Sequence, residues 1–279
     1  MRYRIALTSA IAVVALGALG ALAGPGWNPV PMTRTIDVVR ADTSVAALPT
    51  ADPVGTYDVL TSVVTVQLTG ATVQAQISEP VGATGLRPAV VFVHGAGTGR
   101  YQDAFVTQAH DLASAGIVTM VPDKRLDTYS MRQRDYVVMA NDYLRSLELL
   151  RRLPGVDPAR VGVYGESEGC WIVPVMAADN ANVAFSILVA APVVAPREQA
   201  AFASDSYLRA TGVPVEVLRA IPRTLGMRPP GGGFGYVDFA VQPFQQRMRQ
   251  PVFVAYGTGD AAMPTVQGAL EIIDDLATA

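Results

Sequence analysis

A chain of 279 residues that is 50% hydrophobic and only 16% charged can bury a sizeable core, which excludes intrinsic disorder and suits one large domain or two small ones. Its 21 basic and 24 acidic residues leave a net charge of −3 with no basic run, a balance that argues against binding nucleic acid. The single cysteine, Cys170, excludes an internal disulfide, and with only two histidines, His94 and His110, a Cys/His zinc site is implausible.

The first element is apolar. Arg2 and Arg4 precede a run from Ile5 to Ala23 without a charge, closed by the small-residue triplet Ala21-Leu22-Ala23. That is the plan of a secretory signal, and the run is also long enough, at about 20 residues, to span a bilayer. A cleaved signal peptide and a retained membrane anchor both fit residues 1–23. A buried helix of the globular domain fits less well, because Gly17 and Gly20 weaken it and no polar face exists to turn outward. The chain is therefore expected to be secreted or held at the cell envelope, with membrane contact through residues 5–23 if they are kept. With no cysteine near the cleavage point, lipid attachment there is excluded. Residues 24–59 carry Pro25, Pro29, Pro31, Pro49 and Pro53 among many Ala and Thr and read as a linker, with room for a short strand at 34–40.

From Thr61 the pattern has period two. Val63, Thr65 and Gln67 alternate with Val64, Val66 and Leu68, and Thr69-Gly70 turns the chain into Ala71–Ser78, which predicts a β-hairpin. The apolar runs Ala89–Val93, Ile117–Val121, Val161–Tyr164, Phe185–Ala190 and Val252–Tyr256 are short and continuous, as in strands buried on both faces of a parallel sheet. Between them lie helical patterns at Ala104–Ala115, at Tyr136–Leu150 (stopped by Pro154-Gly155) and at Thr265–Ala277. Alternating β and α after a hairpin is an α/β fold. Residues 192–250 interrupt the alternation with helical stretches at Arg197–Arg209 and Pro214–Ile221 and the run Pro229–Gly233. They read either as a lid over a pocket or as a surface excursion with no gating role.

Three segments carry chemistry. Gly165-Glu166-Ser167-Glu168-Gly169 follows a strand and opens an apolar helix, which is the setting of a nucleophile elbow with Ser167 raised above the carboxyl edge of the sheet. His94-Gly95-Ala96-Gly97 ends the strand Ala89–Val93 and suits an oxyanion loop. An acyl-transfer serine needs two backbone N–H donors, here Glu168 after the nucleophile and Ala96 or Gly95 from this loop. His94 itself reads as a brace for the loop rather than a proton-transfer group. Gly257-Thr258-Gly259-Asp260 follows the strand Val252–Tyr256. Asp260 is read as the acid that orients a catalytic histidine, against the alternative of a cap on the helix starting near Pro264. Cys170 is expected buried beneath the elbow, and Glu166 and Glu168 are expected solvated beside it.

In this order the motifs resemble the α/β-hydrolase family over about residues 60–279, most closely bacterial esterase and peptidase relatives near dienelactone hydrolase and prolyl oligopeptidase. Those carry H-G-x-G, D-K-R-G, G-H-S-E-G-G and G-x-x-D, to which His94–Gly97, Asp123-Lys124-Arg125, Gly165–Gly169 and Gly257–Asp260 correspond. Leu126 stands where glycine is usual, Glu166 replaces the elbow histidine, and Cys170 the final glycine. The resemblance implies a serine hydrolase of ester, thioester or amide bonds, acting on a small-molecule substrate, with no metal or organic cofactor. It also implies a histidine after the acid, and none follows Asp260. A helix, a strand and two loops need roughly 25 residues. Only 19 remain after Asp260, so the expectation is a chain that stops before the last strand and the histidine loop, with an apolar sheet edge left uncovered. Losing one triad member costs about 10⁴–10⁶ in rate. Two hypotheses follow: an impaired serine hydrolase, and a non-catalytic remnant or binding protein that keeps the pocket.

Overall fold

Thr69-Gly70 makes the first tight turn. Gly70 has φ +77°, the left-handed conformation that a two-residue hairpin turn requires. It joins strands β1 (Val59–Leu68) and β2 (Ala71–Pro80), which pair antiparallel from Val59↔Pro80 to Leu68↔Ala71. The computed structural model describes residues 57–279 except 98, 131–132, 211–235 and 258. The expected signal or anchor at 1–23, the strand at 34–40 and the helix at Pro214–Ile221 lie outside the described residues. The linker expected to reach residue 59 ends earlier. Val59 already belongs to β1, the Tyr57 N–H donates to the Ser114 carbonyl at 3.1 Å, and the Arg87 guanidinium sits 5.3 Å from the Tyr57 ring centre.

The other strands are β3 (Arg87–Val93), β4 (Val118–Pro122), β5 (Val156–Glu166), β6 (Ser186–Val189) and β7 (Val252–Ala255). The seven form one sheet in the order β1-β2-β4-β3-β5-β6-β7. The hairpin joins antiparallel through β2 and β4, and from β4 to β7 every pairing is parallel. Each short continuous apolar run from Ala89 onward is a strand of this parallel part. Along β3, Ala89, Val91 and Val93 enter one buried cluster while Val90 and Phe92 enter the other, so both faces of the sheet are covered.

Among the described residues the helices are α1 (Val106–Ser114), α2 (Tyr136–Arg151), α3 (Gly169–Ala177), α4 (Pro196–Ala210), α5 (Gln242–Gln245) and α6 (Thr265–Ala277). Asp135 caps α2 by accepting the N–H groups of Val137 and Val138 at 2.9 and 3.0 Å, a contact worth about 1 kcal/mol. Its predicted stripe of Tyr136, Ala140, Tyr143, Leu147 and Leu150 is buried. Helix α3 is apolar nearly all round and lies beneath the elbow, with the Trp171 indole N–H donating to the Val194 carbonyl at 2.9 Å. In the expected insertion, α4 and α5 are described, and Arg197 pairs with Asp238 across 41 residues. The single turn α5 is too short to leave a periodic signal. Strand β7 forms the edge of the sheet, where Phe253 is 63% exposed. Among the described residues no helix is long and apolar enough to cross a membrane.

Candidate active site

Strand β5 ends at Glu166, and the next residue, Ser167, has φ +53°. A non-glycine residue in that region carries about 1–3 kcal/mol of strain and persists only when its surroundings hold it. Here the Ser167 N–H donates to the Val189 carbonyl at the end of β6 (3.0 Å), and the Ser167 carbonyl accepts the Cys170 N–H at 2.9 Å. The flanking glycines are needed for close approach rather than flexibility. A Cβ on Gly165 would stand 2.8 Å from Val173 Cγ2, and one on Gly169 would stand 2.4 Å from the Val93 carbonyl oxygen. Cys170 is buried as expected, its thiol donating to the Gly165 carbonyl at 3.2 Å, and burial pushes its pKa up, away from thiolate chemistry.

The sheet order brings the neighbouring strand ends to this elbow. Strand β3 lies beside β5, so the loop His94–Gly97 runs past Ser167. A Cβ on Gly95 would lie 3.4 Å from Ser167 Cβ and 3.2 Å from the Glu166 carbonyl oxygen, a clearance only glycine leaves comfortably. Among the described residues, the backbone N–H groups of Ala96 and Glu168 have no hydrogen-bond partner. Gly97 donates its N–H to the Tyr129 hydroxyl at 3.2 Å.

His94 is buried and tied down at both ends. Its Nε2 lies 2.7 Å from the Pro122 carbonyl, so Nε2 carries the proton and donates it, while its backbone N–H donates to the Tyr143 hydroxyl at 3.2 Å. Burial lowers its pKa to about 4, which keeps the ring neutral. The ring braces the loop. It titrates near 6.5 when unfolded and near 4 when folded, so the folded state gives up stability as pH falls through that window and keeps it fully above 6.5. The loss should reach about 3 kcal/mol. His94→Gln, which can still donate to Pro122, should flatten this part of the pH–stability curve in urea titrations. An unchanged curve would show that the ring is not held neutral.

Glu168 corrects the sequence expectation. Rather than solvated, it is 1% exposed, and its carboxylate accepts from Lys124 Nζ at 3.0 Å, from the Tyr129 hydroxyl at 2.7 Å and from the Arg134 guanidinium. A carboxylate can be buried when it is paired and hydrogen-bonded in this way. Its partners lie 34 to 44 residues upstream, so no local pattern announces them. Lys124 also donates to the Gly95 carbonyl at 2.5 Å. Burial lowers the Lys124 pKa, opposed by the Glu168 charge, and burial with that same charge raises Tyr129 to about 12.

Asp260 stands beyond the same sheet edge, since Glu166, Val189 and Ala255 are aligned across β5, β6 and β7. Its Oδ1 accepts the N–H groups of Ala262 at 2.8 Å and Met263 at 3.2 Å. Those bonds hold the turn ahead of α6, whose N-cap residue is Pro264 and which has no side-chain cap bond. His110 is on the flank, its side chain 61% exposed on α1 beside Asp111. Leu126 is exposed, and Arg125 makes a two-pronged pair with Asp127 rather than reaching the elbow. Among the described residues no group of His, Cys, Asp and Glu could hold a metal ion.

No family model matches the sequence, and no curated protein does. Solved structures match with confidence at low identity. A Bacteroides ovatus protein assigned as a dipeptidyl aminopeptidase IV superposes with a TM-score of 0.57 at 16% identity, over 78% of this chain and 31% of that one. This chain thus spans about a third of that protein's length. A Klebsiella pneumoniae protein assigned as a dienelactone hydrolase gives 0.56 at 15% identity, over 79% and 82% of the two chains. An α/β hydrolase of a Penicillium species gives 0.55 at 15%, over 77% and 86%. With its hairpin, its parallel sheet covered on both faces and Ser167 at the strand-to-helix turn, the chain has the α/β-hydrolase fold.

Proposed function

We propose that the chain is an exported or membrane-tethered serine hydrolase of carboxylic ester, thioester or amide bonds, with Ser167 as nucleophile. One observation carries the reading: Ser167 is strained at φ +53° with Gly95 against it, and the nearby N–H groups of Ala96 and Glu168 have no partner among the described residues. Strain of this kind concentrates at functional sites. In the reaction Ser167 Oγ bonds to the acyl carbon, the carbonyl oxygen takes negative charge against those N–H donors, and the leaving group departs with a proton. Water then releases the acyl group from Ser167. Export rests on the sequence of residues 1–23.

A second reading is a binding protein or non-catalytic remnant. It is favoured by the histidines, since His94 is committed to Pro122 and His110 lies on the outer flank, so neither is a base for Ser167. Labelling with a fluorophosphonate probe separates the two. Under the hydrolase reading the wild type incorporates probe, slowly, and Ser167→Ala incorporates none. Equal labelling of both proteins would leave the binding-protein reading.

A further inference from the structure

Lys124 follows β4, Gly95 follows β3 and Glu168 follows β5, three neighbouring strands of the sheet. The Lys124 ammonium, on a residue 4% exposed, donates to the Gly95 carbonyl at 2.5 Å and to Glu168 Oε2 at 3.0 Å. The Gly95 carbonyl and the Ala96 N–H are the two ends of one peptide unit. A charged donor on that oxygen draws electron density through the amide, making the N–H at the other end a stronger donor. It also fixes the plane of the peptide, and hence the direction of the Ala96 N–H. The ammonium also lies 4.1 Å from the Tyr129 ring centre and bonds the side chain of Glu168, whose own backbone N–H is the second donor. Tyr129 closes the same circuit, accepting the Gly97 N–H at 3.2 Å while donating to Glu168 Oε2 at 2.7 Å.

Pairing the carboxylate does not by itself require Lys124. Without it, Glu168 still has the Arg134 guanidinium on Oε1 and the Tyr129 hydroxyl on Oε2. Burying an ammonium is costly, and the contact that sets this one apart is the Gly95 oxygen. We propose that Lys124 is a positioning residue for the acyl transfer. It clamps and polarises the Gly95–Ala96 peptide toward the developing oxyanion, and Glu168 couples that clamp to the second donor. This rests on the serine-hydrolase reading.

The test measures fluorophosphonate labelling in imidazole buffer, resolved into the maximal rate kinact and the half-saturating probe concentration KI. Melting temperatures are followed alongside. Lys124→Met should lower kinact about tenfold, less than the loss of a direct oxyanion donor, with KI within about twofold. Lys124→Arg, which keeps a cation for the Gly95 oxygen, should recover most of the rate. If Lys124→Met does not fold, Lys124→Gln serves, since it keeps a donor and removes only the charge; it too should lower kinact at constant KI. A neutral variant that labels as fast as wild type overturns the proposal alone. So does a Lys124→Arg variant as slow as the neutral one at an unchanged melting temperature. Wild type that labels no faster than Ser167→Ala ends the hydrolase reading, and the proposal with it.

Discussion

Added imidazole should accelerate the hydrolysis of p-nitrophenyl acetate by the 279-residue chain, and the acceleration should vanish in Ser167→Ala. Near neutral pH the serine hydroxyl keeps its proton, and neither histidine of the sequence stands ready to take it. The His94 ring is engaged with the Pro122 carbonyl and its pKa is held down to about 4, while His110 is exposed on α1. Without imidazole, oxyanion stabilisation and binding alone can still give about 10³–10⁴ over water, so slow turnover is expected. A positioned general base contributes about 10²–10⁴; a diffusing imidazole should recover roughly tenfold or more of that. The measurement is the Ser167-dependent rate after subtracting the rate of Ser167→Ala in the same buffer. Fast turnover without imidazole that disappears in His94→Gln would make His94 the base and sink this account.

Gly169→Ala should be the most damaging alanine substitution among the described glycines, because its clash is with backbone atoms. The added Cβ would stand 2.4 Å from the Val93 carbonyl oxygen and 3.2 Å from that of His94, both backbone atoms that no rotamer change can move. Relief requires separating α3 from the end of β3, which also carries Gly95 away from Ser167. Overpacking of this kind costs about 3 kcal/mol. For a domain of this size the melting temperature should fall by roughly 6–12 °C. Probe labelling should fall further than stability alone explains. Gly257→Ala is the control, because nothing lies within 4 Å of its added Cβ. Equal melting temperatures for the two variants would refute the steric argument.

The elements that could be read from the sequence are those whose cause is local. The hairpin follows from strict alternation over Thr61–Leu68 and a turn at Thr69-Gly70, and it forms there. The parallel strands follow from short continuous apolar runs, and helix α6 spans Thr265–Ala277 as its periodicity predicts. Ser167 was legible for a related reason. A strand, a serine between spaced glycines and an apolar helix are all contained within residues 161–177, and the backbone does turn at φ +53° there. Asp260 was legible only as a choice between two local roles, and its Oδ1 bonds the N–H groups of Ala262 and Met263 in the turn before the helix begins at Thr265.

The solvated reading of Glu168 failed because burial of a charge is not a local property. A glutamate beside an elbow has no pattern that distinguishes water from Lys124, Tyr129 and Arg134, which approach it from 34 to 44 residues away. They meet because β3 lies between β4 and β5, a strand order that differs from the order in the chain. The same crossing binds His94 to Pro122 across 28 residues and so decides that it braces the loop. Short-range sterics and periodic burial thus determined the parallel strands, the hairpin, the longer described helices and the elbow from the sequence by itself. Which polar groups are paired, and therefore buried, neutral or available to a substrate, was decided only when the sheet brought distant strand ends to one edge.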